Sequence, residues 1–293
     1  MTVAALYRYP VKSMLGESLT TARIGAAGVL GDRAHALVDV ETGIVASAKV
    51  PRRWAALLQC SARFVAEPEE GAAVPPVEVT FPDGSVLRSD DDGLDEALSA
   101  LLGRRVRLAS TAPEGAGFEE LWPDIAGLAP QGVIDGTRVR DEETGEVISR
   151  FDLSAMGAPG TFFDLSPLHV LTTATLDRLR ELAPDATFDV RRYRPNVLLD
   201  GAGEGFVEND WPGSVLTLGG ATVTASLATM RCVMTTLAQG DLPADADVLR
   251  TVAKHNRIEI PQVGGVWASA GVYADVTAAG DVSVGDAHGV RPA

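Results

Sequence analysis

The stretch ATMRCVMTT, residues 228–236, holds Cys232, one of two cysteines in 293 residues. A thiolate is both a soft metal ligand and a nucleophile, and a neighbouring guanidinium such as that of Arg231 favours it over the thiol. Free cysteine more often acts as a small buried hydrophobe, so the residue type alone decides nothing. The company does more: Thr229, Thr235 and Thr236 supply hydroxyls that an apolar core strand seldom needs. Cys60, in the strand-like run WAALLQCSARF, has no such neighbours and reads as core.

A second cluster is Arg191-Arg192-Tyr193-Arg194-Pro195-Asn196, three arginines in four residues of a chain with 25 bases against 40 acids. The planar guanidinium fork suits phosphate, and asparagine can pair with a heterocyclic edge. A solvated strand end whose arginines pair with neighbours such as Asp189 accounts for the cluster equally well. Lys12-Ser13, within YPVKS, and Gly31-Asp32-Arg33 offer further loop contacts for a phosphate, although such short motifs are common.

Other chemistries find no support. GAGEGF (201–206) resembles a dinucleotide loop, but acids surround it and no helix is expected after it. Asp164, Ser166 and His169 lie close together without the GxSxG elbow of a hydrolase, and His169 reads as a packing or hydrogen-bonding residue. The four histidines (His35, His169, His255, His288) are scattered, with no HExxH or CxxC, which argues against zinc held by protein ligands. Two cysteines make neither a disulfide framework nor a four-thiolate iron–sulfur site. Any metal would therefore rely on a cofactor for most of its ligands. The net charge of −15 argues against nucleic acid or an anionic membrane as partner. No apolar run reaches the ~20 residues that span a bilayer, and the start, MTVAALYRYPVKS, lacks a signal-peptide core, so a cytoplasmic protein is expected.

The elements that must position these residues are mainly strands. ARIGAAGVLGDRAHALVDVETGIVASAKV holds β-rich runs with a turn at Glu41-Thr42-Gly43, and PPVEVTFPDGSVLRS turns at Pro82-Asp83-Gly84. Leu94, Ala97, Leu98 and Leu101 fall at helical spacing, with Asp91 or Asp92 as cap and Gly103 as stop. STAPEGAGFEELWPDIAGLAPQG reads as a long surface excursion, a domain boundary or an active-site cover, and RVRDEETGEVIS as a short hairpin. Helices are expected near 175–182 and 247–255, with strands around NVLLD, SVLTLGGATVTASLA and GVYADVTAAGDVSVGD. Strands without regular βαβ alternation point to a mainly β or α+β architecture.

Taken in order, YPVKS, GDR, SPLHVLTTATL, RYRPNVLLDG, F-x-E-x-x-W (Phe206, Glu208, Trp211), MRCVMTT, GVYADV and GDVSVGD resemble the MOSC family, named for the C-terminal domain of molybdenum cofactor sulfurases. Within that family the motif set resembles the mitochondrial amidoxime reducing component and its bacterial counterparts. The resemblance implies a MOSC-associated β-barrel over 1–110, an acidic Gly/Pro-rich excursion over 111–160 and a MOSC β-barrel over 161–293, with a few peripheral helices.

It also implies a molybdenum–molybdopterin cofactor whose metal is bound by Cys232. Lys12, Ser13, Arg33, Thr172, Thr173, Arg194, Asn196, Arg231 and Tyr273 would contact the cofactor. The implied reaction is two-electron reduction of a small N-oxygenated substrate, a hydroxylamine or amidoxime, with electrons from a separate donor protein. No pyridoxal-dependent desulfurase domain is expected. The alternatives are a cofactor carrier without turnover and a metal-free thiol enzyme that transfers sulfur. Two departures touch the implied site. TTLAQGDLPADAD replaces the family's TT-x-D-P-x-T-G, and Ala270-Gly271-Val272-Tyr273 replaces an aromatic-Gly pair before the tyrosine. Both bear on the substrate more than on the cofactor.

Overall fold

The computed structural model describes residues 1–141, 144–153 and 161–292. Its largest sheet runs in the order Glu17–Leu19, Thr2–Arg8, Val197–Asp200, Leu168–Thr172, Val266–Ala278, Ala221–Met230, Val215–Leu218, His288–Arg291, with Arg257–Glu259 paired beside Val266–Ala278. Neighbours are antiparallel except Leu168–Thr172 with Val197–Asp200. A parallel pair needs a crossover, and the helices Thr173–Leu182 and Val190–Tyr193 provide it. The sheet closes on itself: Thr2 bridges to Ala287, and Val3 exchanges backbone bonds with Asp286 and Gly285. The barrel interior is aliphatic, with Val3, Leu6, Ile24, Val170, Leu199, Val223 and Val272 all at 1% exposure or less. Each such side chain stabilises the fold by roughly 1.5–3 kcal/mol relative to exposure.

The remainder of the first half packs a second core around Val11, Leu37, Trp54, Leu57, Cys60 and Leu98. Cys60 is fully buried there. RWAALLQC is helical rather than a strand: Pro51–Trp54 is a helix followed by a 3-10 turn over Ala55–Gln59. Proline in the first turn presets φ, and Trp54, Leu57 and Leu58 fall at i, i+3 and i+4, so one helical face meets the core. Leu94–Leu102 forms the expected helix and stops at Gly103 in the left-handed region. Neither aspartate caps it; Gly93 takes that position, and Asp91 accepts the Arg88 amide instead.

Both expected turns form. Asp39 Oδ1 accepts from the Glu41 and Thr42 amides ahead of Gly43, and Phe81 pairs with Ser85 across Asp83-Gly84. The excursion folds into a small sheet, Gly117–Leu121 beside Val147–Asp152 beside Arg138–Arg140, with a helix at Gln131–Thr137. The second pair is the expected hairpin, registering Val139 with Ile148. Among the described residues no helix is long and apolar enough to cross a membrane.

Candidate functional site around Cys232

Strand Ala221–Met230 alternates buried and half-buried residues over its first half, and after an early shift between Thr222 and Val223 its register slips between Ala225 and Leu227 and again between Ala228 and Met230. Such bulges re-aim the strand end, and here they deliver Met230, Arg231 and Cys232 to a cavity between the barrel and the N-terminal half. Gly271 makes the neighbouring strand compatible: it has φ of +85°, and a Cβ there would lie 2.5 Å from His169 Nε2 and 2.7 Å from the Val170 carbonyl.

Eight of the ten sequence-predicted residues line this cavity: Lys12, Ser13, Arg33, Arg194, Asn196, Arg231, Cys232 and Tyr273. Ser13, Arg33 and Arg194 are also the only described non-glycine residues with positive φ (67°, 47° and 55°). Left-handed backbone costs an L-residue about 1–2 kcal/mol, so three strained positions converge on one cavity.

Thr172 and Thr173 lie elsewhere. Thr172 caps the helix Thr173–Leu182, its hydroxyl accepting from Thr175 N at 3.1 Å, while Thr173 donates to Asp200 at the surface. Buried Glu208 completes the cap, accepting from Thr172 N at 2.7 Å and from the Thr175 hydroxyl. The F-x-E-x-x-W motif is thus architectural, with Trp211 in the barrel core. The hydroxyls beside Cys232 also have backbone duties: Thr235 donates to the Cys232 carbonyl and Thr236 to that of Val233.

The arginine cluster divides three ways. Arg191 pairs with Asp189 and Asp241 at the surface, as the solvated reading expects. Arg192 is fully buried and donates to the carbonyls of Thr187, Thr235, Leu237 and Pro243, clamping the segment after Cys232. Arg194 enters the cavity. It lies 4.2 Å over the Tyr9 ring, beside Arg33 at 4.5 Å from the same ring. Asn196 lines the cavity, but its amide is engaged by the His169 amide, Asp32 and the Tyr7 carbonyl.

Three lining residues, Lys49, Asp164 and His169, escaped the sequence reading of the site, as did Glu120 beside them. Lys49 lies 3.0 Å from Glu120 and 3.3 Å from Asp164, and Asp164 also takes Lys12. Burial alone would push the Asp164 carboxyl up, but Lys12 and Lys49 together hold it far below the usual carboxylate range. Burial likewise opposes charge on Lys49, and Asp164 and Glu120 overcome it, so the ammonium persists. Burial raises Glu120. His169, fully desolvated and facing Arg231, titrates well below an ordinary histidine and stays neutral, its buried Nε2 unpartnered. A usable signal existed for Lys49: the chain has only Lys12, Lys49 and Lys254, and two of the three line the cavity.

The cavity holds uncompensated positive charge. Among the described residues Arg194 has no carboxylate partner and its buried Nη1 no hydrogen bond; burial and then Arg33 push its pKa down to about 10. Arg231 donates to the Tyr193 carbonyl at 2.8 Å, but its Nε is also orphaned. Buried donors left unmade cost free energy, so the site is shaped for an anionic, hydrogen-bond-accepting ligand. Burial raises the Cys232 thiol, with Lys49 and Arg231 pulling the other way. Its adjacent arginine is thus outweighed by desolvation, whereas a bound metal deprotonates a ligating thiol outright. Orphaned guanidinium nitrogens for phosphate and a soft sulfur donor together fit a phosphorylated, metal-bearing pterin.

The comparisons with known proteins agree with this architecture. A MOSC N-terminal beta barrel domain matches residues 1–65 and a MOSC domain matches residues 158–288. The chain belongs to the MOSC family, whose domain is associated with molybdenum cofactor binding. No curated protein sequence matches it. Among solved structures it is similar to the YuaD protein of Bacillus subtilis, at 10% identity and TM-score 0.45, over 100% of this chain and 96% of that one. It is also similar to YiiM from Geobacillus stearothermophilus, at 16% identity and TM-score 0.32, over 43% and 54% of the two chains. Likenesses this loose carry no argument about the site.

Proposed function

We propose that this chain is a molybdenum-cofactor-dependent reductase of N-oxygenated compounds, with Cys232 as the protein ligand to the metal. The observation that carries the cofactor reading is the buried guanidinium of Arg194, ion-paired with no carboxylate among the described residues and with its Nη1 orphaned, in the same cavity as Cys232. Arg194, Arg231 and Arg33 would hold the cofactor's anionic part, and Lys12, on the same N-terminal wall as Arg33, would meet it by exchanging its bond to Asp164. When bound, the cofactor supplies two-electron oxygen-atom chemistry.

The overall reaction breaks the N–O bond of R–NH–OH, consumes two electrons and two protons, and yields R–NH2 and water. A separate donor protein would deliver the electrons. The chain's own groups hold protons and orient. Lys49 keeps a proton at Nζ, and Tyr273, whose hydroxyl burial raises, keeps its own. Neutral His169 lines the cavity with Nε2 buried beside Gly271. The raised Cys232 thiol weighs against a metal-free nucleophile, and the open recess described below favours turnover over carriage.

The test is molybdenum per chain, by elemental mass spectrometry, in protein from a host that makes the cofactor. Near one atom per wild-type chain is expected and near zero for Cys232→Ser, followed by benzamidoxime reduction with an artificial electron donor. Equal metal in both proteins would remove Cys232 as ligand. Metal without turnover would leave a carrier.

A further inference from the structure

A second, larger recess of about 380 Å³ also reaches Cys232. It shares Lys49, Asp164, Leu165, Met230, Arg231, Cys232 and Tyr273 with the charged cavity, but its other walls differ in kind. Phe118 and Phe151 stack at 5.4 Å on one side, and Trp122 and Trp267 meet at 6.0 Å on the other. Both indole N–H groups bond outside the recess, Trp122 to Ser149 Oγ and Trp267 to the Gly264 carbonyl, each at 2.8 Å. With their polar handles satisfied, the rings contribute carbon surface. Ser149, fully buried, also accepts from Thr137 at 2.7 Å, so one hydroxyl fixes two walls.

Of the nine residues that line this recess alone, Gln262, Val263 and Trp267 lie within the MOSC span, but six, Phe118, Glu120, Trp122, Val133, Thr137 and Phe151, fall between the two spans that the family models match. Family membership therefore does not supply them. An apolar cavity of about 150 Å³ is enough to hold benzene. The recess has room for an aromatic ring together with a polar head, and its charged groups lie only at the Cys232 end.

We propose that the recess is the substrate subsite and that it selects a flat, apolar aromatic body, with the N-oxygenated head directed to Cys232. This rests on the reductase reading for the identity of the head, but the binding of the aromatic body does not. Trp122 and Trp267 provide an intrinsic fluorescence signal, because they line the recess and the other two tryptophans, Trp54 and Trp211, do not.

The experiment is a titration of benzamidoxime into metal-free protein followed by tryptophan fluorescence, for wild type, Val133→Phe and Phe151→Leu. Saturable quenching is expected in the wild type. Filling the recess with Val133→Phe should weaken binding tenfold or more, and removing a ring with Phe151→Leu severalfold. Circular dichroism establishes that each variant is folded, and Phe151→Leu, at a half-buried position, carries the test if Val133→Phe does not fold. In metal-loaded enzyme the KM ratio of benzamidoxime to hydroxylamine should rise in both variants. No saturable binding to the wild type, or folded variants within twofold of it, overturns the subsite. Variant-sensitive binding in a protein that never takes up molybdenum would sink the reductase and leave the subsite standing.

Discussion

The two cavities that meet at Cys232 are built on opposite principles. One gathers strained backbone and buried cations, and every residue lining it lies inside the two matched family spans. The other is aromatic and draws most of its distinguishing walls from the segment between those spans. The charged cavity is destabilising as built, since left-handed arginines and orphaned donors have no use to the fold alone. The aromatic recess costs little, because its rings are packed and their N–H groups satisfied. The difference teaches where to look for each property: what is bound permanently by the strain, and what is selected by the apolar walls.

The sharpest break of that comparison is Cys232→Ser, which should abolish both molybdenum and turnover while leaving aromatic binding to the recess measurable. Next is Arg194→Gly. It relieves a left-handed residue and removes an unpaired buried charge, so the melting temperature should hold or rise while retained molybdenum falls tenfold or more, about 1.4 kcal/mol. A fall in both would show that the Arg194–Tyr9 contact is structural.

Glu208→Ala tests the architectural side. Leaving the Thr172 amide and Thr175 hydroxyl without an acceptor should cost about 3 kcal/mol by thermal or urea unfolding, with molybdenum per folded chain unchanged. The smallest effect is chemical. In metal-free protein iodoacetamide should modify Cys232 more slowly at pH 7 than it does a free thiol, because a raised pKa lowers the thiolate fraction. The rate should climb only above the ordinary thiol pKa of about 8.5. Cys60, pushed up to about 11 and fully buried, should not react while the chain is folded. Fast labelling of Cys232 at neutral pH would restore the metal-free thiol reading.

Local physics explains what could be read from residues alone. The helix Leu94–Leu102, the turns at Gly43 and Gly84 and the hairpin at 138–152 follow from spacing and turn chemistry within a few residues. The helix at 51–54 was missed because a short apolar run fits a buried strand equally well, and the proline that decides it lies at its edge. Cys232 and Arg194 stood out by composition. Glu120 and Asp164 did not, because their roles come from Lys49, 71 and 115 residues away in sequence, and an acid is unremarkable in so acidic a chain. The positive φ of Ser13, Arg33 and Arg194 had no signal at all, since none is glycine or asparagine.

Closure of the barrel carries a consequence for how the protein is made. The first strand has Val197–Asp200 as one neighbour, and Thr2 meets Ala287 only at the far end of the chain. A growing polypeptide therefore holds Thr2–Arg8 without its main partner until Val197–Asp200 has left the ribosome. The wall carrying Lys12 and Arg33 is synthesised long before the strand tip carrying Cys232. Such non-local pairing is slow to form. Any ligand that needs both walls can therefore bind only after the strand tip carrying Cys232 has been made, so the site first exists late in synthesis.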